Sequence, residues 1–295
     1  GLYFCLAFNT IKSTNNFIET ILIEITQVEF PIFATKFCAM AHDKLILVCN
    51  DDGITSPGIR ALVAVAKEFG TVVVVAPDKP QSAMGHAITI NSALRYNKIT
   101  IDGEVEYACS GTPVDCIKLA MNKILPRKPD ILISGINHGS NASINVIYSG
   151  TMAAAMEGTL ERIPSIGFSL LDHSIDADFS ASQDIARVII AHAFDKGIPQ
   201  GVCLNVNIPN VSKDLIQGIR VCRQADANWE ESLDERKDPM GKSYFWLTGT
   251  FKNYDSGNDT DIWALENNYV SVVPCKFDLT AHELLNTFKT WEQDV

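Results

Sequence analysis

From Leu45 onward, short apolar runs alternate with segments whose apolar residues recur at helical spacing, and that alternation restricts the chain to a parallel sheet covered on both faces. Leu45 to Cys49 reads as the first strand. Ser56 and Pro57 then open a helix in which Ile59, Leu62, Val63 and Ala66 share one face. Thr71 to Ala76 is almost wholly β-branched, as a strand buried on both sides should be, and Pro77-Asp78 ends it. Thr112 and Pro113 start a second helix, Ile131 to Ser134 forms another buried strand, and Met152 to Leu160 is a helix of small residues. Ile166 to Phe168 and Val202 to Val206 complete the core strands, with a helix from about Ala181 to Ala193 between them. The expected class is α/β: a Rossmann-like, mostly parallel sheet with helices on both faces.

Past Arg220 the pattern changes. Asp226 to Asp238 is strongly charged, and Tyr244 to Phe251 alternates like an antiparallel strand, so 221–295 reads as a smaller C-terminal extension with a β-hairpin suited to assembly and a terminal helix. The catalytic core is expected over 44–220. Residues 1–43 lack the basic start and long apolar stretch of a secretory signal and read as an N-terminal extension of doubtful order, with Met40 just before the first strand.

A formal charge of -11, from 35 acidic and 24 basic residues without a basic block, argues against a broad nucleic-acid surface. No apolar run approaches the roughly 20 residues of a membrane span. The eight cysteines show no Cys-x-x-Cys pair and sit in or beside apolar segments, which suits free thiols in the cytoplasm better than a disulfide framework.

The chemistry is concentrated where strands end. Asn50-Asp51-Asp52-Gly53 follows the first strand directly, and two adjacent carboxylates leaving a buried strand must be solvated, paired or bound to a cation. In an open parallel sheet the crevice outside the strands' carboxyl ends is the ligand site. Ser82, in the loop after the second strand, and Asn137, in the glycine-bearing loop after Ser134, reach the same edge. Four oxygen donors, Asp51, Asp52, Ser82 and Asn137, offer the ligand set of one hard divalent cation such as Mg²⁺, Mn²⁺ or Ca²⁺, Mg²⁺ or Mn²⁺ foremost, with waters filling the remaining positions and Asp51 and Asp52 as the candidate catalytic residues. Ser149-Gly150-Thr151 opens a helix whose free N–H groups and dipole favour an anion, so these residues, with Asn50, are the phosphate-contact candidates. His86 is a candidate acid or substrate contact, and His138 a weaker one. Gly-x-Ser-x-Gly, Walker A and Gly-x-Gly-x-x-Gly patterns are absent from the sequence, which turns the reading away from acyl transfer, P-loop hydrolysis and dinucleotide binding. A phosphoacceptor signalling domain also carries an acidic pair after its first strand, but it needs an acceptor Asp at a later strand end, where this chain has Ser134-Gly135.

These motifs, taken in order, resemble the survival protein SurE family of nucleotidases. The stretches that match are Ile46 to Gly53 with Pro57-Gly58-Ile59, Val75 to Asp78 with Gln81-Ser82, Gly85 to Thr89, Ser110 to Cys116, Ser134 to Gly139, Tyr148 to Thr151, Thr260-Asp261, Tyr269 to Val272 and Asp278 to Thr280. The resemblance runs from about Lys44 to Leu285. It implies a metal-dependent phosphomonoesterase acting on nucleoside 5′- and often 3′-monophosphates, some members also trimming short polyphosphate. It also implies one metal held by Asp51, Asp52, Ser82 and Asn137, phosphate held by Ser149, Gly150 and Thr151, and a homodimer or homotetramer built by hairpin exchange. Met84 departs from the family, standing where a small residue is frequent.

Overall fold

The computed structural model describes residues 44–293, so the expected extension over 1–43 lies outside the described residues. In chain order the elements are β1 (Leu45–Cys49), α1 (Pro57–Ala66), β2 (Thr71–Pro77), β3 (Tyr96–Ile101), β4 (Glu104–Cys109), α2 (Pro113–Leu119), β5 (Ile131–His138), α3 (Asn145–Tyr148) and α4 (Gly150–Leu160). There follow β6 (Ser165–Leu170), α5 (Ser180–Lys196), β7 (Val202–Ile208), β8 (Ile219–Val221), β9 (Ala227–Lys237), β10 (Ser243–Asn253), α6 (Asp261–Glu266), β11 (Val270–Lys276) and α7 (Leu285–Phe288).

Among the described residues nine strands join one sheet in the order β3-β4-β2-β1-β5-β6-β7-β11-β8. The run from β4 to β7 is parallel throughout, and β3, β11 and β8 extend it at the two sides. All five residues of β1 are buried, as the unbroken apolar run predicts for a central strand. Helices α1 and α5 pack together, as do α2 and α4, and the core between sheet and helices is filled by Ile46, Leu47, Ile133, Met152 and Phe168.

From β1 the chain steps outward through β2 to β4, then returns to lay β5 on the other side of β1. That reversal parts the loops leaving β1 and β5, and the crevice it creates is where such sheets bind ligands. No helix among the described residues is long and apolar enough to cross a membrane.

Three local features differ from the pattern read in the sequence. Ser56 stands at the N-cap of α1, but its hydroxyl accepts from Asn50 Nδ2 at 2.8 Å instead of capping the helix. The charged stretch after Asp226 is itself a strand: β9 pairs with β10 along its whole length in a separate two-stranded sheet. Standing clear of the core with most of its residues exposed, it has no buried face to impose alternation. Val270–Lys276, which the sequence reading places in the C-terminal extension, enters the central sheet as β11, pairing antiparallel with β7.

Candidate active site

Two hydrogen bonds and a sheet irregularity bring the expected residues to one place. The Gln81 N–H donates to the Asp51 carbonyl at 2.7 Å, which lays Ser82 alongside the end of β1. The His138 N–H donates to Asp52 Oδ2 at 3.2 Å, tying the acidic pair to the end of β5. Between Ser134 and Asn137 the β5–β6 register shifts, so two residues of β5 oppose one of β6. Such a bulge re-aims the side chains that follow it. The Asn137 Nδ2 donates to the His138 and Gly139 carbonyls at 3.1 and 2.9 Å, so its amide protons are spent on the loop and Oδ1 remains as an acceptor.

Asp51, Ser82, Asn137 and Ser149 line a single cavity of about 640 Å³. Asp51 is 4% exposed. Its Oδ1 accepts from the Thr151 hydroxyl at 2.5 Å, at the first turn of α4. A Cβ on Gly150 would lie 2.7 Å from the Asp51 Cβ, so the helix start can approach β1 this closely only because Gly150 has no side chain. The anion held at this helix tip is therefore Asp51 itself. Ser149 faces the cavity; Gly150 and Thr151 are not among the described residues that line it. Ser149 Oγ accepts from the Met152 N–H at 3.0 Å, which leaves its own proton to donate.

Burial, reinforced by the neighbouring Asp52 charge, pushes the Asp51 carboxyl up to about 6 in spite of the Thr151 bond. Burial raises Asp52 as well, against the opposing bond from the His138 amide. Neither Lys nor Arg appears among the described residues lining the cavity, where His138 and His173 are the side chains whose positive charge would ease that of Asp52. A divalent cation fits the vacancy in charge. Among the described residues no group of three or more His, Cys, Asp and Glu side chains converges, which leaves two carboxylates and neutral oxygens as donors. That set suits a hard cation rather than zinc.

Asn50 is fully buried, and its Nδ2 donates to the Gly53 carbonyl at 2.9 Å and to Ser56. It braces the turn that carries Asp51 and Asp52, and it is not among the residues lining the cavity. His86 is also absent from that lining: its Nε2 lies 2.9 Å from Glu157 Oε2, and Lys118 bonds the other carboxylate oxygen. Although burial raises the Glu157 carboxyl, its bonds to His86 and Lys118 outweigh that and hold it below its ordinary range. His138 does line the cavity, with its ring packed edge-on against Phe179 at 5.1 Å.

Other lining residues carry no local sequence signal. Asn141 is fixed by a buried amide network: its N–H donates to Asn207 Oδ1 and its Nδ2 to Ser169 Oγ, both at 2.8 Å, and its carbonyl accepts from Asn205 Nδ2. These partners come from β6 and β7, so only the sheet order reveals them. Asp261 is buried at the start of α6 and accepts from the Ser143 and Ala225 amides at 2.7 and 2.9 Å, drawing the base of the β9–β10 hairpin to the loop after β5. Its Thr260-Asp261 motif was visible in the sequence; its partners were not.

The profile of the family described as Survival protein SurE matches residues 46–231. A protein named 5′-nucleotidase SurE from Flavobacterium psychrophilum is 59% identical over 250 residues, covering 84% of this chain and 97% of that protein. Its namesake from Christiangramia forsetii is 58% identical over 250 residues, 84% of this chain and 96% of the relative. Among solved structures, the SurE protein from Aquifex aeolicus superposes with a TM-score of 0.74 at 39% identity, covering 84% of this chain and 99% of that one. A profile spanning more than half the chain, with relatives this similar along nearly their full length, establishes that the chain belongs to the survival protein SurE family.

Proposed function

We propose that the chain is a nucleotidase, a hydrolase that releases phosphate from nucleoside 5′-monophosphates with one divalent metal ion per subunit, Mg²⁺ or Mn²⁺. The observation that carries the reading is that Asp51, Ser82 and Asn137 line one cavity, with Asp52 tied beside them, and that neither Lys nor Arg is among the described lining residues. The names of the similar proteins support the reaction class.

Asp51, Asp52, Ser82 and Asn137 would hold the ion. When bound, it supplies charge stabilisation at the phosphoryl oxygens and a water acidic enough to attack at neutral pH. The remaining work falls to the chain itself. Thr151 fixes the orientation of the Asp51 carboxylate through its hydroxyl. The Ser149 hydroxyl proton donates to a phosphate oxygen, Asn141 lines the same cavity, and Asp51 itself is buried at the end of β1.

Phosphate release from a panel of nucleoside monophosphates tests the proposal. Activity is expected with Mg²⁺ or Mn²⁺ and at least a hundredfold less with excess chelator, as an order of magnitude for losing metal assistance worth several kcal/mol. Undiminished release in chelator would remove the metal from the reaction.

The assembly proposed is a homodimer, alone or paired into a tetramer. Leu233, Phe245, Trp246 and Leu247 are all exposed on the β9–β10 hairpin. An isolated two-stranded hairpin is marginally stable in water, and a second copy would cover these side chains. Sedimentation should give at least twice the chain mass; a strict monomer at micromolar concentration counts against it. The six cysteines among the described residues are free thiols, which supports a place in the reducing cytoplasm.

A further inference from the structure

Of the four candidate ligands, Ser82 has the least regular support. Asp51 and Asp52 lie just past the end of β1 and Asn137 within β5, whereas Ser82 sits in the stretch 78–95, which holds neither helix nor strand. Ser82, Ala83 and Met84 are all exposed, so little packing fixes the hydroxyl, and Ala83 takes a positive φ of 59°. A group that serves a site must be held to within about 0.5 Å of its place, and here that precision has to come from the flanks of the loop.

On one flank the Gln81 amide is bonded to the Asp51 carbonyl, and on the other the Gly85 N–H donates to the Tyr148 carbonyl at 3.0 Å. Beyond Gly85 the chain is tied to helices. His86 Nε2 lies 2.9 Å from Glu157 Oε2 on α4, and the Thr112 hydroxyl donates to the Ala87 carbonyl at 2.7 Å. The Thr89 N–H and hydroxyl donate to the two carboxylate oxygens of Asp115 at 3.0 and 2.6 Å. Asp115 also belongs to the capping box of α2, so its bonds serve the helix as well. The Glu157 side chain has no such local duty. It is 3% exposed, and its oxygens are shared between His86 and Lys118, whose own side chains reach solvent. A buried carboxylate costs desolvation, and this one lies on the helix whose first turn already orients Asp51 through Thr151. One helix thus grips two candidate ligands: Asp51 from its first turn and, further along, the Ser82 loop through His86.

Resting on the metal-dependent nucleotidase reading above, we infer that Glu157 is a positioning residue for the divalent cation, holding His86 so that the Ser82 hydroxyl stands where the ion needs it. Neither Glu157 nor His86 lines the cavity, and neither takes part in proton or phosphoryl transfer. Their effect reaches the ion only through Ser82. Groups that orient a metal's ligands are typically worth about 10- to 100-fold in affinity.

The test measures Mn²⁺ binding to the full chain by electron paramagnetic resonance of the free ion, without nucleotide. It compares the wild type, Glu157→Gln and His86→Ala, each with and without Ser82→Ala. Glu157→Gln strands no buried charge, because Lys118 and His86 both reach solvent. His86→Ala removes an exposed side chain and carries the test if the first variant does not fold. Each should raise the Mn²⁺ dissociation constant by about 10-fold, the lower end of the range for groups that orient a ligand. In the Ser82→Ala background neither should raise it further, since the loop then has no oxygen to place. A constant unchanged in both variants overturns the inference. So does a rise of the same size in the Ser82→Ala background, which a merely structural effect would give. Phosphate release from AMP separates the two readings: Mn²⁺ binding that depends on Glu157, in a protein that releases no phosphate, would sink the nucleotidase and leave the positioning role standing. Metal-dependent release with a Mn²⁺ affinity indifferent to both variants would do the reverse.

Discussion

Asp51→Asn should lose at least about 1,000-fold in phosphate release, equivalent to roughly 4 kcal/mol of transition-state stabilisation, and yet the metal-free variant should be the more stable protein above pH 6. Both effects come from one side chain in one environment. Burial holds the Asp51 carboxyl up at about 6 in the folded chain, against an ordinary 3.8. Above pH 6 the folded state must hold a buried charge that the unfolded state holds in water, and the roughly two-unit difference corresponds to about 3 kcal/mol. Below pH 3.8 both states are protonated and the penalty vanishes. The asparagine keeps an oxygen to accept from Thr151 and carries no charge. Urea unfolding in chelator should therefore show the variant ahead by up to about 3 kcal/mol at pH 8, with the gap closing between pH 6 and pH 4. Mn²⁺ should raise the midpoint of the wild type and leave that of the variant where it was, because an ion that binds only the folded state stabilises it by mass action. Equal stabilities at pH 8 would show that Asp51 is not buried against its charge.

Gly58→Ala should destabilise the fold by more than about 4 kcal/mol, although helix propensity alone favours alanine by about 1 kcal/mol. Gly58 lies in the first turn of α1, where the helix crosses β5. A Cβ there would stand 2.0 Å from the Ile136 carbonyl oxygen and 3.3 Å from Phe179 Cε1. The near atom is backbone in a central strand and cannot swing aside, so the helix or the strand must move. Ile136 immediately precedes Asn137, so activity should fall even where the variant stays folded. A urea midpoint equivalent to within 1 kcal/mol of wild type would contradict this packing of α1 on β5.

The same glycine shows how far the chain could be read locally. That Pro57-Gly58-Ile59 opens a helix follows from the proline and from the spacing of Ile59, Leu62, Val63 and Ala66, because both signals act within a few residues. That Gly58 must be glycine depends on a strand nearly eighty positions away. His86 makes the same point differently: its type and its loop suggested an acid, but α4 and α2 supply Glu157 and Lys118 as its neighbours.

The candidate oxygen donors were legible because each stands at, or a few residues beyond, the carboxyl end of a strand, and the strands β1 and β5, buried along their length, announce themselves by their apolar runs. The hairpin was half legible. Tyr244 to Phe251 alternates, whereas β9 is mostly exposed and carries no periodic burial to betray it.

What the sequence determined by itself was the run of most buried core strands, the longer helices between them and the identity of the groups at their ends, since propensity, capping and hydrophobic period are local properties of the chain. What only the tertiary structure decided was adjacency: Thr151 on Asp51, Asn141 among Asn205 and Asn207, and the Trp229 indole on Asn145. Those contacts depend on sheet order, a register shift in β5 and glycines that admit close approach, and none of these is set within the reach of one turn or one strand.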